Sequence, residues 1–114
     1  CHIMAVWMGP FAGNVVGFTQ MGGEGAQFVG LAPFTDTNHF YQNLGDGTFA
    51  HSGSLAIRFA VPAGVNVTYK ILHNSTIAMT GGQDVAGGRT VPEMVRMRGA
   101  EGVKKRRVKG AITR

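Results

Sequence analysis

The order of the apolar segments constrains the fold more than any other feature of this sequence. Residues 39–44 alternate as a strand does, residues 67–72 are rich in β-branched and aromatic side chains, and between them, at residues 49–60, apolar side chains recur at three- and four-residue steps. That spacing predicts an amphipathic helix, which Pro62 and Gly64 end. A strand, a helix and a strand in this order form a right-handed crossover between parallel strands. We therefore predict an α/β fold, a parallel sheet with helices on both faces.

Glycine and proline mark the boundaries of the remaining elements. Glycine-rich turns end the predicted strands, and Pro92 suits the first turn of a helix whose cap lies at Thr90 or Val91. Residues 74–88 read as a long loop. The other predicted elements are a short strand at residues 15–21 and a helix at residues 26–31.

The length and the cysteine content limit the class of protein. A chain of 114 residues, 44% of them hydrophobic, is long enough for one domain with a modest core. Its single cysteine excludes an internal disulfide and fits a reducing compartment, and no apolar stretch is long enough to cross a bilayer. We expect a cytoplasmic protein without membrane contact. Because the sequence opens with Cys1 in the middle of an apolar pattern, we also expect a fragment of a longer chain.

The net charge of +5 is concentrated at one end of the chain. Residues 89–114 contain nine of the eleven Lys and Arg residues but only two of the six acidic residues. We therefore divide the chain into a domain, residues 1–103, and a basic tail, residues 104–114. Basic side chains can neutralise nucleic-acid phosphates, so a basic nucleic-acid-binding module is the alternative from another class of function. No aromatic interleaving or nucleic-acid motif accompanies these residues, which favours a solvated charge run.

Two polar residues follow neighbouring predicted strands. Asp46 lies in Gly45-Asp46-Gly47 directly after the first strand, and Asn74 follows the second strand 28 residues later. The carboxyl ends of parallel strands share one sheet edge, so a carboxylate and an amide oxygen should meet there. Such oxygens suit Mg²⁺, which commonly shares its coordination shell with ligand phosphates. The sequence thus predicts a site for a magnesium-bound diphosphate ester.

Glycines around these residues favour a phosphate ligand. Gly45 and Gly47 let the backbone approach phosphate oxygens closely, and the helix that follows can direct free N–H groups at an anion. Further along, the segment 80–83 offers a hydroxyl, backbone donors and an amide. Its residues are Thr80, Gly81, Gly82 and Gln83.

These motifs resemble the thiamine diphosphate-binding fold and, in their longer strings, the indolepyruvate ferredoxin oxidoreductases of the 2-oxoacid:ferredoxin oxidoreductase family. The resemblance covers roughly residues 1–103. The strings that carry it are Gln20-Met21-Gly22-Gly23-Glu24-Gly25, Asn43-Leu44-Gly45-Asp46-Gly47-Thr48, His51-Ser52-Gly53, Ala56-Ile57-Arg58, Thr68-Tyr69-Lys70-Ile71-Leu72 and Ala78-Met79-Thr80-Gly81-Gly82-Gln83.

Site residues follow from the resemblance. It implies that Asp46, the side chain of Asn74 and the backbone carbonyl of Thr76 bind Mg²⁺, and that residues 80–83 lie beside the diphosphate. It also implies that Cys1 is a ligand of a 4Fe–4S cluster in the parent enzyme, although one thiolate cannot hold a cluster in this chain alone. This sequence has His73-Asn74 where the common motif has two asparagines, and its tail is basic where the family continues as an apolar strand.

The resemblance also implies the reaction and the partners. The parent enzyme would convert an aryl 2-oxoacid to an acyl-CoA with coenzyme A, passing electrons through iron–sulfur clusters to ferredoxin. It would be dimeric and would need a separate pyrimidine-binding domain, so this module would bind the cofactor but contain no catalytic residue. Another thiamine diphosphate-dependent 2-oxoacid oxidoreductase or decarboxylase remains the alternative among enzymes.

Several histidines and turn residues admit more than one interpretation. His51 follows the Gly-Asp-Gly motif closely enough to approach a cofactor, but packing at a helix start explains it equally well. For His73, His39 and His2 an ordinary structural role is favoured, and Met79 fits core packing. Glu24 and the surrounding glycine turn are expected near the ring end of the cofactor, where local turn chemistry is the competing explanation.

Overall fold

A computed structural model describes residue 17 and residues 19–77, 80–105 and 107–109 of the chain. The first described helix, α1, is followed by a 3₁₀ turn at Ala32–Phe34. The other elements are a strand pair joined by a long helix, a short hairpin and a final helix. Their bounds are α1 Ala26–Leu31, β1 Phe40–Gly45, α2 at residues 46–60, β2 Val67–Leu72, β3 Thr76–Ile77, β4 Gln83–Asp84 and α3 Val91–Ala100.

The central unit is a crossover between parallel strands. β1 pairs with β2 in parallel, from Phe40 opposite Val67 to Gly45 opposite Leu72, and α2 connects them. Since the two strands run in the same direction, both carboxyl ends lie at one edge of the sheet. The predicted α/β fold with a parallel sheet is therefore confirmed, in the form of a partial domain with a two-stranded sheet.

One face of this sheet carries the core. Leu44 and Phe49 are fully buried and pack with Ile57 and Met94, which brings β1, α2 and α3 together. Burying side chains of this size contributes about 1.5–3 kcal/mol each. On the opposite face, Tyr41 is 64% exposed, so the described helices cover the first face and leave this one open.

Helix α2 differs from its prediction at the start and in the middle. It begins at Asp46, three residues before the predicted start, because Gly45 is extended and the small polar residues that follow carry no apolar periodicity. Its turn Phe49–Gly53 is π-helical, between α-helical segments Asp46–Thr48 and Ser54–Ala60. Gly53 allows this turn to lie close to the sheet, since an added Cβ would come within 2.8 Å of Leu44 Cδ1.

Helix α3 begins as the sequence predicts. Thr90 is the N-cap and Pro92 lies in the first turn, and Thr90 and Glu93 form a capping box in which each side chain bonds the other's backbone. Met94 is buried, and Met97 packs at the edge of the core. α3 is thereby fixed against the same sheet face as α2.

Other segments also depart from the predictions. The region expected to be one loop, residues 74–88, contains the antiparallel hairpin of β3 and β4. Of the strand expected at residues 15–21, residues 19–21 form coil and turn, while positions 15, 16 and 18 lie outside the described residues. Tail residues 104, 105 and 107–109 have no regular structure and are exposed. Along the described parts of the chain, each helix is too short or too polar to cross a bilayer.

Candidate functional site

The two loops predicted to form a site meet at the carboxyl edge of the sheet. Gly45 ends β1 opposite Leu72, which ends β2, so Asp46 and the segment 73–75 emerge side by side. Asp46 is the first residue of α2 and is only 7% exposed. The convergence expected from the parallel crossover is therefore present in the structure.

The carboxylate of Asp46 accepts three backbone hydrogen bonds. Its Oδ2 accepts from the N–H of Asn74 at 3.2 Å and of Ser75 at 2.8 Å, while its Oδ1 accepts from the N–H of Gly47 at 2.9 Å. Hydrogen bonds to an ionised acceptor are stronger than neutral ones. The carboxylate thus fixes the loop after β2 to the start of α2.

The loop after β2 is tightly turned around Asn74. The side-chain Oδ1 of Asn74 accepts from the N–H of Thr76 at 3.1 Å, and Ser75 has a positive φ of 59°. Residues other than glycine rarely adopt that backbone conformation. Backbone strain of this kind occurs often at functional sites. Two of the predicted ligand residues, Asn74 and Thr76, therefore lie in one short turn against Asp46.

The donor atoms at this edge fit a hard cation. Asp46 Oδ1 and Asn74 Oδ1 each accept one hydrogen bond, so each oxygen keeps a lone pair for a further ligand. Both are the hard oxygens that Mg²⁺ prefers. No cluster of three His, Cys, Asp or Glu side chains occurs among the described residues, so a cation here would depend on amide, carbonyl, ligand or water oxygens as well.

A cleft of about 520 Å³ opens beside Asp46. This volume lies within the range of small-molecule sites. The loop after β2 forms one wall, and the segment leading into α3 forms the other. This second wall includes Arg89, a basic residue suited to an anionic ligand. The lining residues used below are Asp46, His73, Ser75, Asp84 and Arg89.

The predicted phosphate loop at residues 80–83 forms a self-bonded turn. Thr80 Oγ1 donates to Gln83 Oε1 at 2.7 Å, and Gln83 Nε2 donates back to the Thr80 carbonyl at 2.6 Å. Gly81 and Gly82 both have positive φ, which this turn requires. These four residues do not line the cleft beside Asp46, whereas Asp84 directly after them does. Their contact with a diphosphate remains a prediction.

A second cluster surrounds the π-helical turn. Ser52 Oγ and His51 Nδ1 are 2.5 Å apart, and an added Cβ on Gly22 would lie 2.0 Å from that same Oγ. Glu24, only 2% exposed, accepts a hydrogen bond from the N–H of Gly22 at 2.6 Å. The glycine turn that was expected near a cofactor therefore packs on the first half of α2.

The cleft also contains residues that the sequence did not single out, and some residues considered from the sequence fall outside the described part of the chain. Cys1, His2 and Met79 lie outside the described residues. His73, for which a structural role was favoured, lines the cleft with its Nδ1 3.9 Å from Asp46 Oδ2. Its position directly after a strand end was the available signal. Arg89 had no such signal, since it stood in a generally basic region.

Together these features define an α/β domain with a candidate ligand site at the carboxyl ends of parallel strands. A family model described as "Thiamine pyrophosphate enzyme, C-terminal TPP binding domain" matches residues 4–108. Because the match spans most of the chain, the protein belongs to the thiamine pyrophosphate enzymes, as a domain that binds thiamine diphosphate. No curated protein and no solved structure matches the chain.

Proposed function

We propose that this chain is the thiamine diphosphate- and Mg²⁺-binding module of an indolepyruvate ferredoxin oxidoreductase. The observation that carries the proposal is the contact between the Asp46 carboxylate and the backbone of Asn74 and Ser75 at the carboxyl edge of the sheet. This contact supports a shared cation site because it joins the two loops that carry Asp46 Oδ1 and Asn74 Oδ1. Each of these oxygens keeps a lone pair for a cation. The motif strings of residues 20–25 and 43–48 support the assignment to this particular oxidoreductase.

In this proposal, residues of two loops and of one cleft wall hold the diphosphate. Asp46, the Asn74 side chain and the Thr76 carbonyl would bind Mg²⁺, with residues 80–83 beside the phosphates. Arg89, on the far wall of the cleft, would balance part of the phosphate charge. When bound, the cofactor supplies carbanion stabilisation at its thiazolium ring, and the module's contribution is to fix its position.

The parent enzyme that we propose acts on an aryl 2-oxoacid, with coenzyme A and ferredoxin as further reactants. It would be a dimeric, cytoplasmic enzyme with a separate pyrimidine-binding domain and a 4Fe–4S cluster to which Cys1 could contribute. Since that second domain activates the cofactor, the 114-residue chain alone is expected to be inactive. Coenzyme A-dependent oxidation of indolepyruvate by the purified chain would contradict this division of labour.

Metal-dependent binding of the cofactor is the direct test. We expect thiamine diphosphate with Mg²⁺ to raise the thermal midpoint of the chain, and EDTA to abolish the rise. Asn74→Ala removes a ligand oxygen and the hydrogen bond that it accepts from Thr76, but it leaves the Asn74 N–H bonded to Asp46, so the loop stays attached to α2 while the cation loses a ligand. Asp46→Ala tests both together. Asp84→Ala, an exposed carboxylate of the same cleft, is the matched control.

The outcomes separate the two classes of function. A Mg²⁺-dependent rise that Asn74→Ala and Asp46→Ala abolish and Asp84→Ala retains supports the cofactor site. An equal rise in all four proteins would refute the assigned ligands. A rise produced by RNA and abolished by salt, without any response to thiamine diphosphate, would support the basic nucleic-acid-binding alternative instead.

A further inference from the structure

A second pocket, of about 180 Å³, lies at the end of β1 opposite the cleft beside Asp46. Phe40, which lines this pocket, is the first residue of β1, whereas Asp46 directly follows the last residue of the strand. Because a strand rises about 3.3 Å per residue, about 16 Å of β1 separates the two places. The described lining residues of the pocket and of the cleft have no member in common. The pocket is therefore a separate cavity.

The described wall of this pocket is mainly apolar and aromatic. Phe28 of α1 and Phe40 of β1 both line it, and their rings stack with centres 4.9 Å apart and planes 10° from parallel. The buried Phe28 holds α1 against the covered face of β1. Leu31, about half-exposed at the end of α1, adds aliphatic surface to the wall. A stacked aromatic pair of this kind suits contact with a further ring, by its faces or its edges.

The polar groups of the pocket are few and uncharged. Gln42 is buried on the same face of β1 as Phe40, and its Nε2 donates to the carbonyl of Asn43 at 3.0 Å. Thr19 and Thr37 add hydroxyl groups, which can donate and accept hydrogen bonds. None of the described lining residues carries a charge. An ionic ligand would lose hydration here without meeting a counter-charge in this part of the wall, whereas a neutral ring would not.

The size and the chemistry of the wall together define a class of ligand. Small-molecule sites are typically apolar and aromatic with a few polar groups. An apolar cavity of about 150 Å³ holds one benzene molecule, so this pocket has room for one ring with a small substituent. We propose that the pocket binds a small neutral aromatic molecule of the phenol class. Its ring packs on Phe28, Phe40 and Leu31, and its hydroxyl group faces Gln42 and the two threonines. The inference does not depend on the proposed cofactor site.

Fluorine NMR of a phenol and a carboxylate of similar size tests this proposal on the 114-residue chain. 4-Fluorophenol is neutral at pH 7, whereas 4-fluorobenzoate is an anion. We expect the fluorine signal of 4-fluorophenol to shift in a saturable way with added protein, and 4-fluorobenzoate to bind at least about tenfold more weakly. Inorganic diphosphate with Mg²⁺ should leave the affinity for 4-fluorophenol unchanged, because the two cavities lie at opposite ends of β1.

Substitutions at one exposed leucine locate the binding. Leu31→Asp places a charge in the wall and should weaken binding of 4-fluorophenol at least about tenfold, whereas Leu31→Met keeps an apolar contact and should change it less than about twofold. Leu55→Asp is the matched control, because Leu55 is an exposed leucine of α2 that is not among the described lining residues. Urea midpoints of the variants, expected to lie close to that of the unaltered chain, exclude unfolding as the cause of weaker binding.

Each contrary result overturns a defined part of the proposal. Without saturable binding of 4-fluorophenol, or with equal losses in Leu31→Asp and Leu55→Asp, the pocket is not a site for this class of ligand. Equal affinities for the phenol and the benzoate would contradict selection for a neutral molecule. Displacement of 4-fluorophenol by inorganic diphosphate would contradict a site separate from the cleft beside Asp46.

Discussion

Asp46 stabilises the folded chain independently of any ligand. Its buried carboxylate accepts the N–H groups of Gly47, Asn74 and Ser75. We expect Asp46→Ala to lower the free energy of unfolding by about 3 kcal/mol, because these donors would be left without their charged acceptor. Urea denaturation checks this value, with Asp84→Ala expected to change stability by less than about 0.5 kcal/mol. Equal effects of the two substitutions would show that the buried hydrogen bonds contribute little.

Alanine substitutions at two glycines are expected to change stability in opposite directions. Gly22 has a positive φ and no room for a Cβ against Ser52, whereas Gly30 lies in α1 with open space around it. We expect Gly22→Ala to destabilise the chain by at least about 2 kcal/mol and Gly30→Ala to stabilise it by about 0.5–1 kcal/mol. Thermal or urea unfolding distinguishes the two. A stabilising Gly22→Ala would contradict the close approach of the glycine turn to α2.

At the scale of single residues, the sequence predicts those contacts that follow from the order of strands and loops along the chain. Asp46 and Asn74 could be predicted to meet because each follows a strand of one parallel crossover. The burial of Glu24 and Arg98 could not be predicted, since charged side chains are almost always exposed and only tertiary packing determines the exceptions. A structural role was favoured for His73, whereas the structure places it in the lining of the cleft.

At the scale of elements, the capping box of α3 should make its stability depend on pH. Hydrogen bonds from the backbone and side chain of Thr90 lower the pKa of Glu93 from its ordinary value of 4.5. A carboxyl group with a lowered pKa in the folded state stabilises that state above its unfolded pKa, and the contribution is lost as the pH falls through the folded pKa. We therefore expect Glu93→Gln to reduce stability at neutral pH and to have no effect once the pH is well below 4.5.

Amide hydrogen exchange at Thr90 and circular dichroism across this pH range would measure that change. A difference between Glu93→Gln and the unaltered chain that stays constant with pH would contradict the ionised capping box. Arg96→Gln serves as a control for the general charge of the helix, because Arg96 contributes only weakly to the lowered pKa of Glu93.

The sequence predicts elements well where periodicity and capping signals agree. Pro92, with the cap expected at Thr90 or Val91, predicted the start of α3, and the β-branched run predicted β2. The start of α2 was placed too late because residues 46–48 are small or polar and show no apolar spacing. The π-helical turn depends on how Gly53 packs against Leu44, and the short hairpin in residues 76–84 depends on pairing across a turn, so neither has a local sequence signature.

At the scale of the whole molecule, the described residues share one small core on one face of a two-stranded sheet, and their stability depends on it. Parallel sheets are normally covered on both faces, whereas the exposed Tyr41 shows that the described helices leave one face open. A chain of this kind has a small margin of stability. Ligand binding should therefore produce a large relative gain, about 2.7 kcal/mol at a ligand concentration one hundred times Kd.

We expect a buried cation to reduce that margin further. Arg98, 6% exposed, lies with its guanidinium carbon 3.8 Å from the centre of the Phe49 ring, and all three of its side-chain nitrogens lack hydrogen bonds. Its nearest carboxylate oxygen, on Glu101, is 3.7 Å from Nε, and the other oxygen of Glu101 pairs with Arg58. Burial lowers the pKa of Arg98, although Glu101 and Tyr69 oppose that shift. Burial of Tyr69 itself, followed by the charge of Glu24, raises the pKa of Tyr69 to about 12.

Because desolvation outweighs these attractions, the folded chain should be more stable without the charge. We expect Arg98→Met to raise the free energy of unfolding by about 1 kcal/mol, since methionine fills a similar volume and Glu101 keeps its contact with Arg58. Arg98→Ala should lower it by about 2 kcal/mol, because a cavity would form beside Phe49. Urea unfolding of both variants shows whether the charge of Arg98 or the volume of its side chain determines its effect on stability. If methionine destabilises the chain as much as alanine does, the contacts of the guanidinium with Phe49 and Glu101 stabilise the core, and the charge is favourable where it lies.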